Sequence, residues 1–312
     1  MRIISGADIY EKNLAASVVT IGNFDGVHRG HAEIFAHLKT KSITSGIPSV
    51  VITFEPHPLK VLAPESAPFM ITTFNQKVAL IEGFGIDYLV VVPFTKEFSR
   101  LSANDFVLTV LCAPLGVQHI IIGHDYAFGR GREGNFSTLE RLGALNGFTL
   151  EDLPPIGDEG VIFSSSLARE VIASGDMASA TRILGRCYQI SGRVVHGREI
   201  GSSLGFPTAN VSTVNELIPA DGVYAVKVKV EGEYVKGACN IGCNPTFDGN
   251  LRTVEVFLLD FSRQIYEQSV EMNFVQRLRS ERRFRDTVAL KEQICLDVAA
   301  ARSILGNPVI TY

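Results

Sequence analysis

Two hydrophobic periodicities divide the chain. In the first half, short apolar runs rich in β-branched residues alternate with segments in which apolar residues recur every three or four positions. The runs predict strands at residues 18–21, 49–54, 88–92 and 119–122, and the segments predict helices at 32–45, 74–84 and 103–111. Near-continuous apolar strands separated by helices are typical of a parallel sheet covered on both faces. The pattern therefore predicts an α/β domain.

Beyond residue 185 the apolar period shortens to two. Alternation predicts strands at 188–195, 223–230 and 234–239, and Glu231-Gly232 predicts a hairpin turn between the last two. A final helix is predicted at 287–304, with an apolar stripe that includes Val288 and Val298. We therefore expect two domains, residues 1–184 and 185–312, the second an antiparallel barrel with a terminal helix.

Length, charge and cysteine usage narrow the class of protein. A chain of 312 residues is longer than most single domains, which agrees with the prediction of two domains. The formal net charge of −4 argues against a nucleic-acid partner and against attraction to an anionic membrane. The sequence has no apolar stretch of signal-peptide or membrane-spanning length, and its five cysteines include no C-x-x-C pair. We expect a cytoplasmic protein with reduced thiols and small-molecule partners, as a monomer or weak homo-oligomer.

Residues 22–31 carry the first candidate chemistry. Gly22 and Gly26 follow a predicted strand and allow a tight turn with close approach of backbone amides to a ligand. His28 and His31 are three residues apart, so a helix that starts here presents both imidazoles on one face of its first turn. A helix N-terminus with imidazole donors favours an anion such as phosphate. Two solvated surface histidines are the plain alternative, and metal binding is weaker because no third ligand is near in sequence.

Three further stretches of the first half follow a predicted strand or begin a predicted helix. Residues 55–58 form a stiff polar turn around His57, and the loop 123–135 combines four glycines with Tyr126 and Phe128. This composition suggests close approach to a flat, charged ligand, because a solvated loop would rarely expose two aromatic rings. At residues 164–169, three serines and then Arg169 open a helix, and by themselves they are a good N-cap.

The second half holds a glycine-rich loop and a carboxylate within an apolar strand. Glycines at 197, 201 and 205 would let the loop wrap phosphates, although a long barrel loop would look similar. Glu255 lies among apolar residues and is either an outward-facing strand residue or a base for an alcohol. Arg279 belongs to a run of basic residues, and such runs usually form a solvent-exposed face.

Several of these segments resemble, in order, those of the prokaryotic bifunctional riboflavin kinase/FMN adenylyltransferase family. G-N-F-D-G-V-H-R-G-H at 22–31 is similar to the G-x-F-D-x-x-H-x-G-H signature of nucleotidyltransferases, and T-F-E-P-H-P at 53–58 has a counterpart there. F-S-S-S-L-A-R at 163–169, G-F-P-T-A-N at 205–210 and V-E at 254–255 extend the likeness. The resemblance implies a Rossmann-like nucleotidyltransferase domain with a parallel sheet, followed by an antiparallel six-stranded β-barrel with a terminal helix.

The resemblance also implies two reactions and a role for each matching residue. Riboflavin is phosphorylated to FMN in the second domain, and FMN is adenylylated to FAD in the first, with ATP as co-substrate and Mg²⁺ as cofactor. The catalytic residues are His28, His31, Arg169 and Glu255; Mg²⁺ is held by Thr208 and Asn210; flavins contact His57, Asp125, Tyr126, Phe128 and Arg279. The nucleotide-binding residues are Gly22, Asn23, Phe24, Asp25, Gly26, His28, His31, Ser164, Ser166, Arg169, Gly205, Pro207, Thr208 and Asn210.

Three positions depart from the family pattern. Leu167 and Ser202 stand where relatives often carry a basic residue, and Asp125 stands where some carry Asn. Two other functions stay open: a nucleotidyltransferase for another small phosphate, which would not explain P-T-A-N or Glu255, and a flavin-binding sensor without turnover.

Overall fold

The computed structural model describes residues 1–6, 8–11, 13–123, 126–197, 205–246 and 249–306. The chain divides into two compact units. The first comprises Met1–Pro68 and Phe74–Ser164, and the second comprises Phe69–Thr73 and Ser165–Tyr312.

The first unit is built on a parallel sheet. Within its described residues six strands pair in the order β1-β4-β3-β2-β5-β6. The strands are β1 (Arg2–Ser5), β2 (Ser17–Ile21), β3 (Ser49–Glu55), β4 (Tyr88–Pro93), β5 (Val117–Gly123) and β6 (Thr149–Leu153). The helices are α1 (Asp8–Glu11), α2 (Arg29–Ser45), α3 (Pro58–Leu62), α4 (Phe74–Glu82), α5 (Ala103–Phe106), α6 (Ala113–Leu115) and α7 (Phe136–Asn146). A π-helical segment, Val107–Cys112, joins α5 to α6, and a small hairpin pairs β7 (Gly157–Asp158) with β8 (Val161–Ile162).

In each central strand, alternate residues pack in two separate apolar clusters. Val19 and Ile21 of β2 pack in one apolar cluster with α5 and α7, whereas Val18 packs in another with Phe35 and Leu38 of α2. This arrangement follows from the period of two in a strand, and all five residues of β2 are buried. The predicted parallel sheet covered on both faces is confirmed.

The described residues of the second unit form two helices, a barrel and a terminal helix. Helices α8 (Ser165–Ser174) and α9 (Met177–Leu184) precede the barrel, and α10 (Thr287–Gly306) follows it. In the described part of the chain six antiparallel strands close the barrel in the order β10-β13-β12-β11-β14-β9. They are β9 (Tyr188–Val195), β10 (Thr208–Thr213), β11 (Gly222–Val230), β12 (Glu233–Thr246), β13 (Gly249–Leu258) and β14 (Ser269–Ser280).

The predicted hairpin between β11 and β12 is present. Glu231 and Gly232 have φ of 50° and 89°, the two positive values that a tight two-residue hairpin turn requires. Large side chains, among them Tyr188, Tyr224 and Phe274, fill the barrel interior and are at most 2% exposed. The antiparallel barrel predicted from the period of two is thereby confirmed.

Helix α10 packs on the outside of the barrel, but with a narrower stripe than predicted. Ala301 and Leu305 pack against Ala225 and Leu259, whereas Val288 is 66% exposed. The prediction that Val288 belongs to the packed stripe is wrong, because Val288 lies in the first turn of the helix, away from this contact. In the described residues no helix is long and apolar enough to cross a membrane.

Candidate active sites

The strand order of the first unit reverses beside β2, the position at which open parallel sheets form a ligand crevice. Helix α2 leads from β2 to its neighbour β3, whereas β5 reaches the other side of β2 only after β4. Ligands of open parallel sheets bind where the strand order reverses in this way, at the carboxyl ends of the strands. The predicted segments 22–31, 55–58 and 123–135 follow β2, β3 and β5, so the sheet topology brings their starting points to this one edge.

The loop after β2, residues 22–28, has an unusual backbone. Phe24, Gly26 and Val27 have φ of 49°, 79° and 40°, and for the two non-glycine residues this conformation costs on the order of 1–3 kcal/mol each. Both side chains are 3% exposed and pack in the core, which stabilises the strained conformation. A Cβ at Gly22 would lie 2.9 Å from the Phe24 ring, so close approach rather than φ explains that glycine. The ring of Phe24 is therefore part of the core, and the predicted nucleotide contact of this residue would involve its backbone.

The two histidines of the signature lie together at the start of α2. Their ring centroids are 3.7 Å apart and the rings are stacked at 25°. His28 is the N-cap rather than a residue of the first turn, since its Nδ1 accepts a hydrogen bond of 3.1 Å from the Gly30 amide. A neutral His28 therefore carries its ring proton on Nε2, where it can serve as a donor. The N-terminus of a 17-residue helix and two imidazoles together favour an anion.

Ser164 lies near this helix start, in the same unit. The Arg29 guanidinium covers the ring of Phe163 at 5.1 Å, and the Phe163 carbonyl oxygen lies 3.8 Å from where a Cβ of Gly30 would be. Ser166 and Arg169 belong to α8 in the other unit, where Arg169 Nε donates to the Phe69 carbonyl at 3.0 Å. Their assignment to the triphosphate stays a prediction.

A buried lysine beside the loop 22–28 was missed by sequence reasoning. Lys77 of α4 has a side chain only 3% exposed, and its Nζ lies 3.4 Å from the carbonyl oxygen of Asn23. Burial lowers the pKa of Lys77, and the nearby carboxylates of Glu55 and Asp25 oppose that shift. The available signal was its position on the buried face of α4, one turn before Ile81, where an apolar residue is the norm.

His57 has a local partner on each ring nitrogen. It is the N-cap of α3, with Nδ1 accepting a hydrogen bond from the Leu59 amide at 3.2 Å, and its Nε2 lies 3.2 Å from Asn23 Nδ2. His57 is 9% exposed. Its contact with Asn23 links the turn after β3 to the loop after β2, so His57 shapes the predicted site whether or not a flavin touches it.

The aromatic residues of the loop after β5 are packed inward. Tyr126 and Phe128 stack with centroids 5.6 Å apart, and Phe128, which is 6% exposed, meets Phe106 in the core. The Tyr126 hydroxyl is buried without a hydrogen-bond partner among the described residues, and burial raises the pKa of Tyr126. Flavin contacts of these rings stay predictions, and Asp125 lies outside the described residues.

The second set of predicted residues meets on the outer face of the barrel. Asn210 of β10 is directly opposite Glu255 of β13, and Asn240 of β12 is opposite Glu255 on its other side. Thr208 is opposite Phe257, two residues along each strand, so its side chain points to the same face. Neighbouring Val254 and Val256 are 3% and 1% exposed and point inward. Register therefore places Thr208, Asn210 and Glu255 side by side.

The segment before β10 approaches this face closely. Gly205 has φ of 88°, and the Phe206 ring meets the Phe257 ring edge-on at 5.4 Å, which holds Gly205 and Pro207 against the barrel. A Cβ at Gly197 would overlap the Asn210 amide. Ser202, where relatives often carry a basic residue, lies outside the described residues.

Arg279 has a structural partner that the sequence did not indicate. Its Nε and Nη2 donate to the Asp297 carboxylate of α10 at 2.8 to 3.0 Å, and Gln293 Nε2 donates to the same carboxylate at 2.7 Å. The two charged side chains are 19% and 7% exposed. The guanidinium therefore fastens α10 to β14, and its predicted flavin contact stays untested.

The donor set on the barrel face fits a hard cation held partly by substrate. Among the described residues no three His, Cys, Asp or Glu side chains could hold a metal ion together. Thr208 and Asn210 offer a hydroxyl and an amide oxygen, and Mg²⁺ is commonly bound by few protein oxygens together with nucleotide phosphates. These residues fit such a site.

Comparisons with known proteins agree with both halves of this picture. The family model of FAD synthetase matches residues 10–167, and that of riboflavin kinase matches residues 184–305. A bifunctional riboflavin kinase/FMN adenylyltransferase from Pseudomonas fluorescens is 40% identical over 97% of this chain and 98% of its own length. The protein of that name from Escherichia coli strain K12 is 37% identical over 98% of each chain.

A solved structure is similar over the same length. A crystal structure described as a macrolide-efflux protein from Streptococcus pneumoniae superposes with a TM-score of 0.89 and 29% identity, covering 97% of this chain and 99% of that one. Matches to both family models and to relatives over their full lengths settle the classification: this chain belongs to the bifunctional riboflavin kinase/FMN adenylyltransferase family.

Proposed function

We propose that the chain makes FAD in two steps, with riboflavin phosphorylated on the outer face of the barrel and FMN adenylylated at the crevice beside β2. The observation that carries the proposal is the register of the barrel, which aligns Glu255 with Asn210 and Thr208 within the unit matched by the riboflavin kinase model. The stacked His28 and His31 supply the corresponding observation in the other unit.

In the kinase step the ribityl hydroxyl oxygen of riboflavin attacks the γ-phosphorus of ATP. The bond from that phosphorus to the bridging oxygen breaks, ADP leaves, and the hydroxyl proton passes to the Glu255 carboxylate. A carboxylate held on a paired strand suits this role because both neighbouring strands fix its position. Thr208 and Asn210 orient the phosphates beside it. Mg²⁺, when bound by these residues, would neutralise phosphate charge.

In the adenylyl step a phosphate oxygen of FMN attacks the α-phosphorus of a second ATP. The bond from the α-phosphorus to the bridging oxygen breaks and pyrophosphate leaves, so no covalent enzyme intermediate is required. Negative charge grows on the α-phosphate oxygens and on the leaving group. In this proposal His28, His31 and the positive end of the α2 dipole stabilise that charge. Ser164 of the same unit is a further proposed triphosphate contact, and the assignment of Ser166 and Arg169 to the triphosphate stays a prediction from the family resemblance.

The proposal also keeps the domain boundary near residue 185 and the cytoplasmic location. The second family match begins at residue 184, which supports the boundary, whereas helices α8 and α9 before it already belong to the second compact unit. Both steps consume ATP, and Cys112, Cys187, Cys239 and Cys295 are free thiols, which supports a reducing, ATP-containing compartment. A monomer or weak homo-oligomer stays our prediction.

One assay tests the whole proposal. The purified chain is incubated with riboflavin, ATP and Mg²⁺, and the flavins are separated by chromatography over time. We expect FMN to appear first and FAD to follow, with both reactions abolished by EDTA. Riboflavin that binds without conversion would point to a flavin sensor instead, and an absence of flavin binding would point to a transferase for another small phosphate.

A further inference from the structure

Lys77 occupies a position that folding alone does not favour. Its side chain is 3% exposed on α4, and removing an ammonium group from water costs several kcal/mol unless strong partners compensate. Ile81 occupies the same buried face one turn later, as expected for a helix packed on a sheet. A lysine at this depth therefore indicates a specific set of partners rather than general packing.

The partners of Lys77 belong to the loop 22–28 and to the end of β3. Nζ lies 3.4 Å from the Asn23 carbonyl oxygen, 3.4 Å from Thr53 Oγ1 and 3.7 Å from a carboxylate oxygen of Glu55. Thr53 Oγ1 itself donates to the Asn23 carbonyl at 3.1 Å. The Asn23 carbonyl is thus held from two sides.

The Asn23 carbonyl belongs to the peptide that immediately precedes the strained residues 24–27. The carbonyl of Asn23 and the amide nitrogen of Phe24 lie in one rigid peptide plane, so a fixed oxygen fixes the orientation of that plane. Phe24 has φ of 49°, and Gly26 and Val27 also have positive φ before His28 begins the helix. The ammonium therefore acts at the first link of the segment that places His28.

Lys77 also balances negative charge beside an anion site. Asp25 is 1% exposed and, with Glu55, acts electrostatically on Lys77. Without the ammonium, the two carboxylates would add net negative charge beside the loop that is proposed to bind phosphates, and like charges at short range repel. Charge balance and loop geometry thus require the same side chain.

We propose that Lys77 is a positioning residue for adenylyl transfer, which holds the Asn23 carbonyl and offsets the charge of Asp25 and Glu55 so that His28 is correctly placed. This inference rests on the proposed assignment of the loop 22–28 to that reaction. Lys77 does not touch the reacting atoms and acts through the backbone.

The chain offers a matched control at the opposite edge of the same sheet. Lys39 pairs with Asp87 at 3.2 Å, and Asp87 also accepts hydrogen bonds from the backbone and hydroxyl of Ser49, at the start of β3. The side chain of Lys39 is 28% exposed. Both lysines thus join a helix to a carboxylate in the first unit, but only Lys77 contacts the loop 22–28.

The test measures both activities of Lys77→Met and Lys39→Met in the full chain, with FMN supplied directly for the adenylyl step. We expect Lys77→Met to lower the kcat for FAD formation by about 10- to 100-fold, as misplaced catalytic groups do, with a smaller change in KM. Riboflavin phosphorylation should be unchanged, and Lys39→Met should form FAD at the wild-type rate.

Two results would overturn the inference. One is FAD formation by Lys77→Met within about twofold of wild type, and the other is a loss in both lysine variants that follows their loss of melting temperature. If Lys77→Met does not fold, Thr53→Val decides, because it removes the other donor to Asn23 and keeps the charge: a reduced kcat supports positioning and an unchanged kcat contradicts it. A His28→Asn variant that still makes FAD would instead refute the site assignment itself.

Discussion

The two proposed sites differ in what would prepare them for phosphate chemistry. In the first unit the backbone provides the geometry, through a loop with three positive φ values, a helix N-terminus and two stacked imidazoles. On the barrel, β10 and β13 pair without a register shift, and this pairing aligns Glu255 with Asn210. The difference follows the chemistry, because adenylyl transfer demands charge stabilisation whereas an alcohol also needs a base for its proton. The first site should therefore be sensitive to backbone changes, and the second to side-chain identity.

Glu255→Gln gives the largest expected effect, because it removes the proposed base while keeping the shape of the side chain. We expect the kcat of riboflavin phosphorylation to fall by about 10²- to 10⁴-fold, the usual contribution of a general base. Adenylylation of supplied FMN should proceed at the wild-type rate. Loss of both activities in a folded variant would show that the two sites are not separate.

His28→Asn tests the first site with its helix cap preserved. Asparagine is a good N-cap residue, so the Gly30 amide keeps an acceptor while the imidazole is lost. We expect FAD formation to fall by about 10²- to 10³-fold and FMN to accumulate from riboflavin. The comparison variant His28→Ala loses the cap as well, and should melt at a lower temperature than His28→Asn. Equal adenylylation by His28→Asn and wild type would exclude the imidazole from the chemistry.

Asp297→Asn examines whether Arg279 serves the barrel or the flavin. The substitution keeps the volume but removes the charge that holds the guanidinium, which should lower the free energy of unfolding of the barrel by about 1–3 kcal/mol. Thermal melting of the full chain, with riboflavin phosphorylation measured alongside, gives the answer. A structural role predicts a lower melting temperature with an unchanged KM for riboflavin. A raised KM at normal stability would instead support the predicted flavin contact.

Gly22→Ala is the mildest change and probes the backbone argument. A methyl group there would lie 2.9 Å from the Phe24 ring, so the loop must shift slightly. We expect the activation free energy of adenylylation to rise by about 1 kcal/mol, which lowers the rate of that step about fivefold. The rate of the kinase step should not change. Gly46→Ala is a useful control, because it strains a helix end that has open space around it. If both variants lose adenylylation equally, general stability rather than loop geometry is responsible.

Local sequence signals predicted the residues of the first proposed site better than the distant residues that hold them in place. Residues 22–31 are contiguous, so strand, turn and helix start could be recognised together, and α2 does begin within this segment, at Arg29, with His28 as its N-cap rather than in its first turn. Lys77 escaped notice because its partners lie 54 and 24 residues away along the chain. For Arg279 the sequence predicts a place in a basic run and, by resemblance, a flavin contact, and nothing near it in sequence indicates its pairing with Asp297.

The sequence by itself determined the two fold classes, because the apolar periods of three to four and of two follow directly from helix and strand geometry. It also determined the family, through motifs whose residues are neighbours in the chain. Only the tertiary structure decided that Thr208, Asn210 and Glu255 share one face, that Phe128 packs in the core, and that Lys77 meets Asn23. Register, burial and long-range pairing depend on how distant segments pack. A local sequence pattern does not identify the distant residues that a side chain will contact.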